Sequence, residues 1–390
     1  MSGLTSFDRL KSAFASAKCT SGSTHNFYLY PARFSPEIAR AVIDTFSAQG
    51  DWVLDPFMGG GTAIIEGVAL SRRMIGVDLN ALAHFVAGVR TRPLSVRDQA
   101  MIRAWAARVS MAGSESAHKP EPAPHIRNLP RAVKNVVSVA LDHAETLLEF
   151  PRQRAFARCA LLRLGQWGLD CRDHNGPSRR KLARKLPDLT DELLAGLEEF
   201  ANLCGKAGLR RNEIVGRRLL LCRTAAGLQS DPSLRELHGR PKLIFTSPPY
   251  PRVHVLYHRW QVRGRRETPA PYWIAQVPDG YYASHYTGGS RTPTGERGYF
   301  SMIRSAFSSV REVMAPDGLV VQLVGFADVR SQLPRYLATM SEAGFEPWRP
   351  LWSRERLWRA VPNRKWYAKL KGAVDPSSEV LLFHRPRRVR

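Results

Sequence analysis

Two short stretches of the sequence hold residue types that could do chemistry. In DPFMGGGT, Asp55 ends an apolar run, Phe57 follows, and Gly59, Gly60 and Gly61 stand where the chain turns into the helical pattern beginning at Thr62. Glycines let a backbone approach a ligand closely, and a helix N-terminus offers free N–H groups. Dinucleotide sites and phosphate loops also use such turns. This one lacks the Lys-Ser/Thr ending of a phosphate loop and departs from G-x-G-x-x-G spacing. Asp78, near the end of RMIGVDLN, narrows the choice, because a carboxylate closing the next strand can accept both hydrogen bonds of a ribose diol. The plainer alternative is a capped helix followed by a solvated acid.

The second stretch is TSPPY, Thr246 to Tyr250, directly after the apolar run KLIF. Consecutive prolines remove backbone donors, stiffen the segment and leave carbonyl oxygens free to face a ligand. Tyr250 could offer a stacking face to a base. An exocyclic amine is a poor nucleophile because its lone pair is delocalised into the ring. Hydrogen bonds from such an amine to the Ser247 hydroxyl and the Pro248 carbonyl would favour the tetrahedral nitrogen that attacks a methyl sulfonium, without a covalent intermediate. Pro-Pro-Tyr alone is more often a turn or a short polyproline segment. Its weight comes from its place after a strand in a chain that also carries DPFMGGGT.

The elements that must position these residues follow from the apolar pattern. DWVLDPF reads as a buried strand, GGGTAIIEGVAL as a turn opening a helix, and RMIGVDLN as a second strand, the beginning of an open parallel sheet. Upstream, FYLYPARFSPEIARAVIDTF reads as a loop running into a helix after Pro36, and residues 1–26 as a loosely ordered lead-in. Helical signals dominate between about Arg92 and Arg217. Within that stretch CRDHNGPSRRKLARKLP suggests an exposed loop. The sheet resumes with RRLLLC and KLIF. After Tyr250 a long aromatic and basic segment without periodicity runs to about Gly298. YFSMIRSAFSSVREVM is then a predicted helix, and GLVVQLVGF and EVLLFHR are predicted strands.

Composition restricts the partner. The 390 residues include 58 Lys or Arg and 34 Asp or Glu, a formal charge of +24, which favours a polyanion, nucleic acid first. A membrane surface is disfavoured, since no run of about 18 apolar residues occurs. The N-terminus also lacks a secretory pattern, so an intracellular, cytoplasmic protein is expected. The five cysteines are widely spaced with no C-x-x-C pair, so neither a disulfide framework nor a metal is expected. His254 and His258, four apart, have no third ligand.

DPFMGGGT and TSPPY, in that order, with YPARFSPEIA upstream, resemble the motifs of the amino-methylating DNA methyltransferases. The likeness covers roughly 27–95 and 215–325 plus the terminal strand. It implies a Rossmann-like, seven-stranded α/β fold, S-adenosyl-L-methionine as cofactor, and a target base flipped out of double-stranded DNA. By the same resemblance Phe34, Ser35 and Pro36 line the methionine end, while Asp55, Phe57, Gly59, Gly61 and Thr62 form the cofactor loop. Asp78 holds the ribose, and Ser247, Pro248, Pro249 and Tyr250 hold the target amine. Ser-Pro-Pro-Tyr is similar to the cytosine-N4 group, whereas adenine-modifying members more often have Asp or Asn at the Ser247 position. No cysteine follows a proline, which disfavours the Pro-Cys chemistry of ring-carbon methylation.

The expected organisation is therefore three-part. Residues 1–95 carry the lead-in, the cofactor segment and the first half of the sheet. Residues 96–212 form a helical insertion, a candidate target-recognition region, and 213–390 form the catalytic half, with the aromatic and basic loop at 251–298. Candidate nucleic-acid contacts are Arg179, Arg180 and Lys181 in the insertion, and Arg252, Arg259, Arg265 and Arg266 beside TSPPY. For both sets the competing reading is a solvated surface, with the aromatics as core. RERLWRAVPNRKWYAKLKG could line a groove or close the edge of the sheet. An RNA methyltransferase would want the same site, but no RNA-binding module accompanies it. An inactive binding protein has no reason to keep both motifs, and a nicotinamide oxidoreductase would need a hydride-transfer constellation that is not found. Restriction-modification or phage defence is the expected setting, with any endonuclease on a separate chain.

Overall fold

The computed structural model describes residues 6–16, 22–29, 35–112, 126–169, 176–251, 260–262, 266–279, 293–350, 356–360 and 378–388. In chain order, α1 (Ser6–Ala15) and α2 (Pro36–Phe46) precede β1 (Trp52–Asp55), α3 (Thr62–Ala69), β2 (Arg73–Asp78) and α4 (Ala81–Arg90). Four long helices follow: α5 (Val96–Ala112), α6 (Arg131–Leu147), α7 (Pro151–Leu169) and α8 (Arg179–Lys206). The chain then forms β3 (Arg218–Cys222), the short α9 (Pro232–Arg235), β4 (Leu243–Thr246), β5 (Trp260–Val262), β6 (Arg266–Thr268) and α10 (Ala270–Ala275). It closes with α11 (Pro293–Val313), β7 (Leu319–Gly325), α12 (Val329–Glu342), β8 (Phe345–Pro347), β9 (Leu357–Ala360) and β10 (Ser378–Pro386).

The apolar runs become strands because both faces of the sheet are covered, and a strand buried on two faces needs continuous apolar sequence. The main sheet runs β3-β2-β1-β4-β7-β10-β8, and β9 pairs β10 off that path. β3, β2, β1, β4 and β7 are mutually parallel, and β10 is antiparallel to β7. Glu379 to Leu381 pair with both β7 and β9, while His384 pairs with both β7 and β8. A strand has two edges, so β8 and β9 lie end to end along the edge of β10 away from β7.

Alternation across the pleat splits the core. Val53, Met74, Phe245, Val321 and Leu381 face one side, packed with residues of α2, α3, α4 and the four long helices. Leu54, Ile75, Ile244, Val320 and Leu382 face the other, against α11 and α12. The fold is thus α/β with a mostly parallel central sheet, and the insertion shares the first core. Phe27 meets Phe156 of α7 edge-on at 5.8 Å, and Trp105 of α5 donates its indole N–H to the Ala140 carbonyl of α6 at 2.9 Å. Gly196 of α8 is a glycine for a steric reason, since a Cβ there would stand 2.2 Å from the Ser23 carbonyl oxygen.

Three local expectations are corrected. The lead-in is not loose in its described parts: Leu10 and Phe14 of α1 are buried, and Ser23–Asn26 form a 3-10 turn that buries Thr24 and His25. Residues 179–185 are helix, not loop. Ser178 caps α8 by accepting from the Lys181 N–H at 3.3 Å, and Leu182, Ala183, Leu186 and Leu189 form a buried stripe that holds the helix through Pro187. The Gly176-Pro177 pair therefore marks the start of the helix. In the segment after Tyr250, β5 and β6 form an antiparallel ladder, and α10 buries Tyr272 and Ile274. From the C-terminal stretch, Leu357–Ala360 closes the edge of the sheet as β9, whereas Trp366 and Tyr367 lie outside the described residues.

Candidate functional site

Strand order places the two chemical motifs side by side. The chain leaves β1 toward β2 on one side, and β4 occupies the other, so the sheet reverses its order between β1 and β4, where open α/β sheets bind ligands at their carboxyl ends. Leu54 pairs with Ile244 in parallel register. Asp55 therefore lies level with Phe245, and TSPPY leaves the sheet one strand away from DPFMGGGT, about 4.8 Å across. The motifs are joined directly, because the Thr246 hydroxyl donates to Asp55 Oδ1 at 2.7 Å.

The turn itself is built on glycine. Gly59 and Gly61 have φ of 48° and 81°, in the left-handed region, and Gly61 is the residue immediately before α3. A Cβ at Gly61 would come 2.9 Å from the Ala87 Cβ of α4. The Gly59 N–H donates to Asp78 Oδ2 and the Asn80 N–H to Asp78 Oδ1, each at 2.9 Å. Each Asp78 oxygen keeps a lone pair for a further donor. Asn80 caps α4 through the Leu82 N–H and accepts from the Tyr272 hydroxyl of α10 at 3.4 Å. Burial, the largest influence, raises the Asp78 carboxyl to about 6. It raises Asp55 to about 7, against the hydrogen bonds from Thr246 and Phe57.

Beneath the turn lies a buried polar network that sequence reasoning missed. Arg90, fully buried at the end of α4, donates to the Gly60 carbonyl, to the Thr24 carbonyl at 2.8 Å and to His25 Nδ1 at 3.0 Å. Nδ1 is then an acceptor, which leaves the His25 Nε2–H to donate to Glu66 Oε1 at 2.7 Å. Glu66 Oε2 accepts from Arg40 at 2.7 Å. The available signal was a charged residue inside an apolar helix, Glu66 in TAIIEGVA and Arg90 at the end of ALAHFVAGVR.

TSPPY is tethered from the opposite end of the chain. The Tyr250 hydroxyl donates to Glu379 Oε2 of β10 at 2.6 Å. Glu379 Oε1 accepts from Arg359 of β9, its direct cross-strand neighbour. Both charged residues are buried, and no spacing in the sequence signals the pair.

Of the remaining candidates, Ser35 precedes α2 and Pro36 is its first residue. Since α2 ends shortly before β1 begins, its start lies toward the carboxyl edge of the sheet. Ser35 Oγ and Asp55 Oδ2 are buried without a hydrogen-bond partner, Phe57 packs near Phe307 at 6.3 Å, and Thr62 is buried. Orphaned acceptors, glycines stripped of side chains and an acid with spare lone pairs fit a ligand bearing a ribose and a positive charge. Arg180, Lys181 and Arg266 are exposed and Arg179 is half-buried. Phe34, Arg252, Arg259, Arg265, His254 and His258 lie outside the described residues. Among the described residues no cluster of three or more His, Cys, Asp or Glu could hold a metal, and no helix is long and apolar enough to cross a membrane.

A mostly parallel sheet with a glycine turn after its first strand, an acid after its second and a polar segment at the switch point defines a doubly wound α/β protein, a class that binds ligands at the carboxyl ends of its strands. Comparison with known proteins adds a family likeness: residues 9–85 match the DNA methylase family model. The chain is 32% identical over 74 residues to the Type II methyltransferase M.MvaI of Kocuria varians, a match covering 18% of this chain and 16% of that protein. It is 36% identical over 63 residues to M.BsoBI of Geobacillus stearothermophilus, covering 16% and 12%. With M.MthZI of Methanothermobacter thermautotrophicus it shares 43% over 49 residues, covering 13% and 14%. The matches thus span well under a fifth of each relative. Among solved structures, a putative rRNA-methylase from Clostridium thermocellum aligns over 89% of this chain and 95% of its own, at 10% identity and a TM-score of 0.32. The rRNA methyltransferase aviRa from Streptomyces viridochromogenes aligns over 95% and 91%, at 12% identity and a TM-score of 0.29.

Proposed function

We propose that this protein is an S-adenosylmethionine-dependent DNA methyltransferase that modifies an exocyclic base amine, cytosine N4. The observation that carries the reading is the apposition of the glycine turn and TSPPY on adjacent parallel strands, linked through Thr246 and Asp55. The family match and the Type II relatives support DNA as substrate, and the +24 charge suits a polyanion. When bound, S-adenosylmethionine supplies the electrophilic methyl group. On this reading Asp78 holds the ribose hydroxyls, the Gly59–Gly61 backbone admits the cofactor closely, and Asp55 puts negative charge near the sulfonium. Phe34, Ser35 and Pro36 line the methionine end.

The flipped base rests against Tyr250, and its amine donates to Ser247 Oγ and the Pro248 carbonyl, which Pro249 holds in a rigid frame. Those two acceptors oppose delocalisation of the nitrogen lone pair and are strongest as the nitrogen becomes tetrahedral. Arg179, Arg180, Lys181, Arg252, Arg259, Arg265 and Arg266 contact phosphates, the insertion reads the target, and the setting is restriction-modification or phage defence.

The test is nucleoside mass spectrometry of DNA and RNA from a methylation-deficient host expressing the wild type or Ser247→Ala. N4-methylcytosine in DNA from the wild type alone is the expected result. N6-methyladenine would overturn the base, a mark confined to RNA would overturn the substrate, and no mark in either pool would overturn the activity.

A further inference from the structure

Among the described residues β3 is an edge of the main sheet, with β2 as its neighbour. Beside it, between α4 and the first turn of α7, lies a cavity of about 500 Å³. Small-molecule sites typically enclose about 300–1,000 Å³. Phe85 of α4, Phe156 of α7 and Leu220 of β3 give the cavity an apolar wall. Its charged lining is of one sign, Arg92, Arg152 and Arg218, with no Asp or Glu. Neither the glycine turn, nor Asp78, nor TSPPY borders it, so it is separate from the site described above. We infer that this cavity is a second ligand site, which takes a nucleotide: Arg92 and Arg218 hold the phosphate, and the apolar wall holds the base.

The cations are not consumed by the protein itself. Arg152 pairs with Asp98 at 2.8 Å, but among the described residues no carboxylate pairs with Arg92, which is exposed, or with Arg218. Arg218 is anchored to the end of α4, its Nη2 donating to the Gly88 carbonyl at 3.0 Å and its Nε to the Thr91 carbonyl at 3.5 Å, which leaves Nη1 for a ligand. Burial, and then the charge of Arg92, lower its pKa to about 10, a cost that a bound anion would relieve. α7 starts at the same cavity with Pro151 and Arg152, and adds the positive end of its dipole. His84, the remaining polar residue of the lining, donates to the Leu220 carbonyl at 3.3 Å, and burial lowers its pKa, so it stays neutral. Gly88 keeps the space open. Glycine is disfavoured inside a helix, and no packing demands it here, because a Cβ at Gly88 would meet nothing within 4 Å.

A nucleotide can arrive free or as part of a nucleic-acid strand, and calorimetry on the full chain separates the two. The free probe is thymidine 5′-monophosphate, whose base is neither adenine nor the bearer of an exocyclic amine, and the strand probe is a short DNA duplex. A single mononucleotide should bind per chain, at least about tenfold more weakly in Gly88→Leu, which fills the cavity, and about fivefold more weakly in Arg92→Gln. Arg304→Gln, an exposed change on α11 across the sheet, should leave its affinity unaltered, and S-adenosylhomocysteine should not displace it. If the mononucleotide fails to bind but the duplex binds, and Gly88→Leu and Arg92→Gln weaken the duplex where Arg304→Gln does not, the nucleotide belongs to a strand. Failure of both probes, equal affinities in wild type and variants, or displacement by S-adenosylhomocysteine would overturn the site. Circular dichroism checks that Gly88→Leu folds, and the exposed Arg92→Gln carries the test if it does not. None of these readouts uses methyl transfer, so failure of this site and failure of the proposed activity are seen separately.

Discussion

The glycine turn and TSPPY stand on adjacent strands, yet they are supported in different ways. The turn rests on a buried cation that binds backbone carbonyls, Arg90 to Gly60 and Thr24, with His25, Glu66 and Arg40 behind it. TSPPY is held through one side-chain hydroxyl, Tyr250 to Glu379, with Arg359 paired to Glu379 behind it. A backbone clamp fixes shape and couples the turn to folding. A phenol held by a buried carboxylate fixes the orientation of a side chain, which matters most where that side chain must face a substrate. Damage beneath the turn should therefore appear first as lost stability, and damage behind TSPPY as lost turnover.

The largest effect expected is from Arg90→Ala. It leaves the Gly60 and Thr24 carbonyls and His25 without their donor, and should cost about 3–5 kcal/mol in urea denaturation. A loss below about 1 kcal/mol would show that the network is dispensable. Ser247→Ala should lower kcat by about 10²–10³ with cofactor affinity nearly intact in calorimetry. If affinity fell in step with kcat, the contrast between the regions would collapse. Asp78→Ala removes two backbone partners and the proposed ribose acceptor, so cofactor binding should weaken by about 1.5–3 kcal/mol. Unchanged binding would displace the cofactor from this strand end. Gly61→Ala forces a Cβ into the left-handed region against Ala87 and should cost about 1–3 kcal/mol, read as a lower melting temperature.

The smallest effect is on pH. Asp55 and Asp78 are raised to about 7 and about 6 from 3.8, chiefly by burial. Because the folded chain holds these protons more tightly than the unfolded one, their contribution to ligand-free stability is greatest at low pH and is lost as pH rises through about 6 and 7. A cofactor that is cationic and donates hydroxyl hydrogens prefers both groups ionised. Its stabilising thermal shift should therefore be larger at pH 8 than at pH 5.5, and Asp55→Asn should flatten the difference.

Much of the fold was legible in the residues. DWVLDPF, RMIGVDLN, KLIF, GLVVQLVGF and EVLLFHR mark strands, since buried strands must be continuously apolar, and RRLLLC marks the half-buried edge strand β3. The helix after Pro36 and the helix over YFSMIRSAFSSVREVM followed from apolar period, although α11 already begins at Pro293, within the stretch that showed no periodicity. The errors fell where local signals compete with packing. The Gly176-Pro177 pair and the basic run after it read as an exposed loop, but Ser178 caps α8 and the Leu182–Leu189 stripe carries the helix through Pro187. Residues 6–15 look featureless because only Leu10 and Phe14 face the core.

By itself the sequence determined which chemical groups exist and on which elements they stand: an acid and glycines at the end of one apolar run, an acid at the end of the next, a rigid Ser-Pro-Pro-Tyr after a third. Side-chain type and local periodicity act over a few residues, so they can be read from a string. Tertiary structure alone decided that β4 lies against β1, bringing Thr246 to Asp55 across 191 positions, and that Glu379 lies beside Tyr250 across 129. Strand order and cross-strand register arise from long-range packing, and a buried charge reveals its purpose only when the chain has brought it a partner.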